Sequence, residues 1–131
     1  MEKSKAIFKN AWPYQKDKMN LPVKNLESSI PFYETVMGFK VSERKDLPNK
    51  AATLYRDDIE IGLAENGGDP SNDGCFFEVD NIEKAFEELR SNGLKKDIPD
   101  FKNQKHGETS WRVFFVIAPD ELCYCIGERQ S

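Results

Sequence analysis

Two stretches decide the fold: VKNLESSIPFYETVMGF (23–39) and VDNIEKAFEELRSNGL (79–94). Laid over one another with a shift of 56 positions (79 − 23), Val23 meets Val79, Asn25 meets Asn81 and Leu26 meets Ile82. Ile30 then falls on Phe86 and Tyr33 on Leu89. Dropping one residue brings Gly38 onto Gly93 and Phe39 onto Leu94. Internal self-similarity of this kind is the signature of a supersecondary unit used twice.

Each copy predicts a helix. Ile82, Ala85, Phe86 and Leu89 fall at i, i+3, i+4 and i+7, one apolar stripe. Asn81 is suited to cap the N-terminus, Glu83 to the first turn and Gly93 to the stop. The first copy repeats this with Leu26, Ser29, Ile30, Tyr33 and Met37 behind Asn25. Pro31 lacks the N–H that a helix interior uses, so a kink or a late start is expected there.

Outside the helices the period changes towards two. Phe39 and Val41 alternate with polar neighbours. Ala51–Tyr55 and Ile59–Leu63 read as strands about an Asp57-Asp58 turn. ENGGDPSNDG (65–74) reads as a linker, and Cys75–Val79 opens the second copy. DIPDFKNQKHGETS (97–110) is polar and reads as a loop. Trp111–Ile117 and Leu122–Ile126 are the closing strands about a turn at 118–121. The domain plan is one domain: an extension at 1–16, a first module at 17–64, the linker at 65–74 and a second module at 75–129. The fold class is α+β, a curved mixed sheet of about eight strands with both helices on its outer face and a concave inner face for a ligand.

Composition narrows the function. The chain has 131 residues, 19 Lys+Arg, 23 Asp+Glu and a net charge of −4, with mean hydropathy −0.69. No apolar run approaches the ~18 residues of a spanning helix, and the first ten residues lack a secretory centre. Nothing resembles a clustered basic footprint, so neither a membrane nor a nucleic-acid partner is expected. The three cysteines, Cys75, Cys123 and Cys125, form no even framework and read as reduced thiols of a cytoplasm. One histidine, His106, reads as a solvated loop residue.

The repeated start, LPVKNLESSIPFYETVMGFKV (21–41), resembles the opening of the vicinal oxygen chelate superfamily, which includes glyoxalase I, bleomycin resistance proteins and extradiol dioxygenases. WRVFFVIAPDELCYCI (111–126) is similar to that family's strand–turn–strand finish. The resemblance covers roughly residues 17–128. It implies paired βαβββ modules, a homodimer and, in metal-dependent relatives, ligands that map onto Lys18, Glu60, Gly74 and Cys125. Lysine carries no lone pair when charged and glycine has no side chain, so only Glu60 is a usual ligand and no metal cofactor is expected.

The predicted pocket wall carries Lys18, Glu60, Trp111, Arg112, Phe114, Cys123 and Cys125. Glu60 lies between two isoleucines and points to the face opposite them. Cys123 and Cys125 share one face of the last strand, with Leu122, Tyr124 and Ile126 on the other. The leading expectation is a metal-free small-molecule-binding homodimer. The alternative is a lyase, isomerase or dioxygenase with Glu60 as base and Cys125 as thiol. Trp12-Pro13-Tyr14 is a candidate cover for a pocket or a dimer seam.

Overall fold

The computed structural model describes residues 5–14, 17–47, 49–96 and 98–130. Residues 1–4, 15 and 16 of the expected extension, and Asp97 at the start of the expected 97–110 loop, lie outside the described residues. Among the described residues the order is β1 (Phe8–Pro13), β2 (Leu21–Pro22), α1 (Leu26–Thr35), β3 (Lys40–Lys45), β4 (Ala51–Arg56), β5 (Ile59–Ala64), β6 (Gly74–Val79), α2 (Ile82–Ser91), β7 (Lys102–His106), β8 (Thr109–Ile117) and β9 (Cys123–Arg129). Single turns of 3-10 helix stand at Lys18–Asn20 and Pro70–Asn72. None of these helices is long and apolar enough to cross a membrane.

The repeat is visible in three dimensions. Asn25 Oδ1 accepts from Ser28 N at 3.1 Å, and Asn81 Oδ1 accepts from Lys84 N at 3.0 Å. Both caps therefore satisfy an orphan donor of the first turn. Gly38 (φ +77°) and Gly93 (φ +115°) follow the two helices in conformations that favour glycine. Strand order repeats as well: β2-β5-β4-β3 in one sheet, and β6-β9-β8-β7 in the other, with β2 parallel to β5 and β6 parallel to β9.

Four expectations change. The α+β class with its two helices holds, but the expected single sheet of about eight strands is nine strands in two hydrogen-bonded sheets, the ninth being β1 at the β6 edge. Residues 8–13, expected as an extension, are thus a strand of the second module's sheet. α1 starts on Asn25 without delay despite Pro31: both Pro31 and Glu27, whose carbonyl loses its partner, are exposed, so water meets that group. The expected loop 97–110 contains β7, which pairs with β8 from Lys102–Val113 to His106–Thr109. Its sequence, KNQKH, lacks alternation because it is an edge strand with little to bury.

The main core lies between sheets and helices. Leu26, Ile30 and Tyr33 of α1 and Ile82, Phe86 and Leu89 of α2 share one cluster with Leu54, Ile59, Ile61, Phe114, Val116 and Ile126, in which Tyr33 lies 5.8 Å from Tyr124 and Phe86 5.5 Å from Phe114. Between the modules stands Arg56, 4% exposed. Its Nη2 donates to Glu88 Oε1 at 2.6 Å and to Ala6 O at 2.8 Å, its Nη1 to Met37 O at 2.7 Å, and its Nε to Asp57 Oδ2 at 3.3 Å. Glu88 Oε1 also accepts from Ala6 N, and the guanidinium lies over the Phe8 ring at 4.2 Å. One cation therefore ties β4, α2 and the start of β1 together.

A second buried polar chain links the helices' side to the last turn. Tyr33 Oη donates to Asp120 Oδ2 at 2.9 Å and accepts from Tyr124 Oη at 2.5 Å, the one assignment that uses each hydroxyl hydrogen once. Burial raises Asp120 above its ordinary value, against opposing hydrogen bonds from Leu122 N, Tyr33 and Ser29. The native state then binds more protons than the unfolded chain as pH climbs from ~4, so this carboxyl's contribution to stability falls as pH rises through its folded value. Melting temperatures of Asp120→Asn, compared with the parent across that acid range, are expected to lose that decline while keeping the acceptor for Tyr33.

Candidate ligand-binding face

Strand alternation decides what reaches the inner faces. Leu122, just before β9, and Tyr124 and Ile126 on it are fully buried on the helix side, which sends Cys123, Cys125 and Gly127 inward. β8 is in register so that Trp111, Val113, Phe115 and Ile117 share that inward side, and β6 contributes Gly74, Phe76 and Glu78. β1 adds Trp12 opposite Phe76, and β7 adds Lys102, Gln104 and His106.

A second small core forms on this face: Phe76, Trp111, Val113 and Cys125. Phe76 lies 5.1 Å from Trp111 centroid to centroid, edge to face. Trp12 covers both, 5.8 Å from Phe76 and 6.0 Å from Trp111, and His106 stands 5.5 Å from Phe76. The geometry requires Gly127, because a Cβ there would sit 2.6 Å from the Phe76 ring. Glycine within a strand marks such close approach. His106 is therefore part of an aromatic cluster on strand β7, not a residue of an open loop.

The predicted pocket residues separate. Trp111, Cys123 and Cys125 lie on the inner face of the five-stranded sheet. Arg112 and Phe114 do not: alternation turns them to α2, where Arg112 Nη1 donates to Glu83 at 3.1 Å and Phe114 packs at 5.5 Å from Phe86. Trp111, Arg112 and Phe114 cannot all line one wall, because neighbours along a strand face opposite ways. Glu60 is exposed on the inner face of the other sheet, opposite Tyr55, with no hydrogen bond or ion pair to another described residue. Lys18 sits on the 3-10 turn, close enough for its charge to act on Cys75. Lys18, Glu60 and Cys125 do not converge.

The inner face of the four-stranded sheet carries a separate cleft of about 230 Å³, bordered by Asn20, Lys45, Ala51, Thr53, Ala64 and Asn66. None of the predicted site residues lines it. The turn carrying Met19 closes the middle of this sheet, since a Cβ on Gly62 would lie 2.0 Å from Met19 O.

Cys75 and Cys125 are not poised for nucleophilic work. Burial, then neighbouring Cys123, pushes Cys125 up to about 12, and burial does the same for Cys75. A nucleophilic cysteine needs the opposite shift. Tyr14 is raised too, first by burial and then by the nearby thiols of Cys123 and Cys125, so it stays a neutral hydroxyl.

The donor set required by the resemblance does not fit a metal. Among the described residues no three His, Cys, Asp or Glu side chains gather at one point. At Gly74, the space a ligand side chain would need is filled: a Cβ would lie 1.7 Å from Cys123 O and 2.7 Å from the Tyr14 ring. Tyr14 and Trp12 were legible only as aromatics two apart, WPY, before the first module.

Residues 16–103 match the model of the Glyoxalase/Bleomycin resistance protein/Dioxygenase superfamily, and the chain belongs to that family. A lactoylglutathione lyase of Pseudomonas putida is 29% identical over 109 residues, 80% of this chain and 60% of that protein. This chain thus spans about three-fifths of that relative's length. The bleomycin resistance determinant encoded on the transposon Tn5 superposes with a TM-score of 0.62 at 19% identity, over 89% of this chain and 99% of that one. A protein from the mobile metagenome of V. Pseudocholerae gives 0.67 at 17% identity, over 89% and 95%. Likeness at these identities concerns the fold.

Proposed function

We propose that this chain is a metal-free small-molecule-binding member of its superfamily, with the inner face of the five-stranded sheet as its site. The observation that carries the reading is the half-open aromatic cluster of Trp12, Phe76, Trp111 and His106 on the face turned away from α2. Such surfaces bind organic ligands through large, rigid apolar area with a few polar groups at the edge. The protein acts as a homodimer, a second copy covering the neighbouring strip of Phe115 (36% exposed) and Ile117 (72% exposed). Free thiols suit a reducing cytoplasm.

A lyase reading has one observation in its favour, the name of the 29% identical relative. It would call on Glu60 and Cys125, which stand on different sheets.

Protein purified without chelator is expected to carry no stoichiometric zinc, nickel, iron or manganese, and to show no lactoylglutathione lyase activity when any of them is added. A bound small molecule at a hundredfold excess over its Kd should raise stability by about 2.7 kcal/mol in a thermal-shift screen. Retained metal, or turnover lost in Glu60→Gln, overturns the binding reading.

A further inference from the structure

Three bonds of the chain place Asn or Asp before glycine: Asn66-Gly67, Asp73-Gly74 and Asn92-Gly93. Without a Cβ, glycine leaves its amide nitrogen unshielded, so that nitrogen can close on the preceding side chain's carbonyl carbon. The fold treats the three bonds differently. Asn92 ends α2: its Nδ2 donates to Val36 O at 3.1 Å, and Gly93 N donates to Arg90 O at 3.1 Å, so the attacking nitrogen is engaged. Gly74 is buried in β6, against the Cys123 carbonyl and the Tyr14 ring, which leaves no space for a new ring.

Asn66 and Gly67 are instead exposed in the 65–74 connection, and nothing would lie within 4 Å of a Cβ on Gly67. Among the described residues the Gly67 N–H has no hydrogen-bond partner. Gly68 N donates to Asn66 Oδ1 at 2.9 Å, which folds the carboxamide back over Gly67. The same bond sets a donor on the oxygen that gains charge when the carbonyl carbon is attacked. Asn66 also ties two segments together, since its Nδ2 donates to Asn20 O at 2.9 Å. Asn20 ends the 3-10 turn whose Met19 closes the four-stranded sheet over Gly62. Asn20 and Asn66 border both the 230 Å³ cleft and a hollow of about 320 Å³ that holds Asp69 and Asp73.

We propose that Asn66 is a site of spontaneous deamidation, and that the change releases the linker from the turn at Lys18–Asn20. The Gly67 nitrogen gives up its proton to water and bonds to Asn66 Cγ. The Cγ–Nδ2 bond breaks, Nδ2 takes a proton and leaves as ammonia, and a succinimide remains. Water then opens this ring at either carbonyl, giving aspartate or isoaspartate. The net reaction consumes one water and releases one ammonia. A carboxylate donates nothing to Asn20 O, so the tie becomes a repulsion, and a hollow that already holds Asp69 and Asp73 gains a further negative charge.

The protein is aged in mildly alkaline buffer made with heavy-oxygen water, and its peptides are followed by mass spectrometry. The Asn66 peptide is expected to take up heavy oxygen at least about tenfold faster than the Asn92 peptide, which must first lose the Gly93 bond and open the helix end. In urea, where both asparagines simply precede glycine, that difference should shrink. Gly67→Ala, which meets no neighbour, should slow labelling of Asn66 and leave Asn92 as it was. Asn66→Asp, one of the two products, should shift the backbone NMR signals of Asn20 and Met19. Equal labelling of Asn66 and Asn92 in the native protein, or a difference that persists in urea, overturns the site. Unmoved Asn20 and Met19 signals in Asn66→Asp overturn the release of the turn.

Discussion

Arg56→Met is expected to lower the free energy of unfolding by about 3–5 kcal/mol, the range for removing one partner of a buried ion pair. The guanidinium and Glu88 side chains are 3% and 8% exposed and 2.6 Å apart, so the loss leaves a carboxylate in a low-dielectric site. It also strips the carbonyls of Met37 and Ala6 of their donor. Urea denaturation measures the effect. Glu88→Gln keeps an acceptor for Ala6 N and removes the charge, so combining it with Arg56→Met should recover part of the loss. A single-variant loss below about 1 kcal/mol would mean that the network is incidental to the joining of the modules.

Gly74→Ala is the second large effect. The added Cβ would stand 1.7 Å from the backbone oxygen of Cys123, which belongs to the neighbouring parallel strand and cannot swing aside as a side chain would. β6 and β9 must separate to admit it, at a cost of about 3 kcal/mol or more, the upper end of the overpacking range. Pairing it with Tyr14→Ala removes the ring at 2.7 Å but leaves the carbonyl, so the double variant should remain destabilised. Near-UV circular dichroism of the adjoining Trp12–Phe76 cluster reports the local disturbance alongside the unfolding midpoint. Tolerance of alanine would show that position 74 has room for a side chain, and the argument against a ligand there would fail.

How much of this was legible differs from element to element. The two helices, their asparagine caps and their glycine stops follow from the repeat, because capping and periodicity are local chemistry. The facing of Cys123, Cys125 and Glu60 follows equally from the two-residue period of a strand. The same period argues against grouping Arg112 and Phe114 with Trp111, and the structure separates them accordingly. β7 and β1 were illegible for another reason. KNQKH buries little, and β1's reason to be a strand is a partner about seventy positions away in sequence, Phe8 opposite Val79. The aromatic cluster shares that difficulty, since it draws Trp12, Phe76, Trp111 and His106 from four strands.

The addition of β1 to the sheet of the second module has a consequence for folding. The duplicated sequence suggests two halves able to mature one after the other. Yet β1 has no strand to pair with until β6 exists, and β6 is held between β1 and β9. Because closing such long chain loops precedes any gain from pairing, stable native structure in the first half is expected to need the second. Cutting the chain within the 65–74 connection should therefore yield fragments that regain native spectra only when mixed. The repeated pattern is thus expected to assemble as one unit rather than as two.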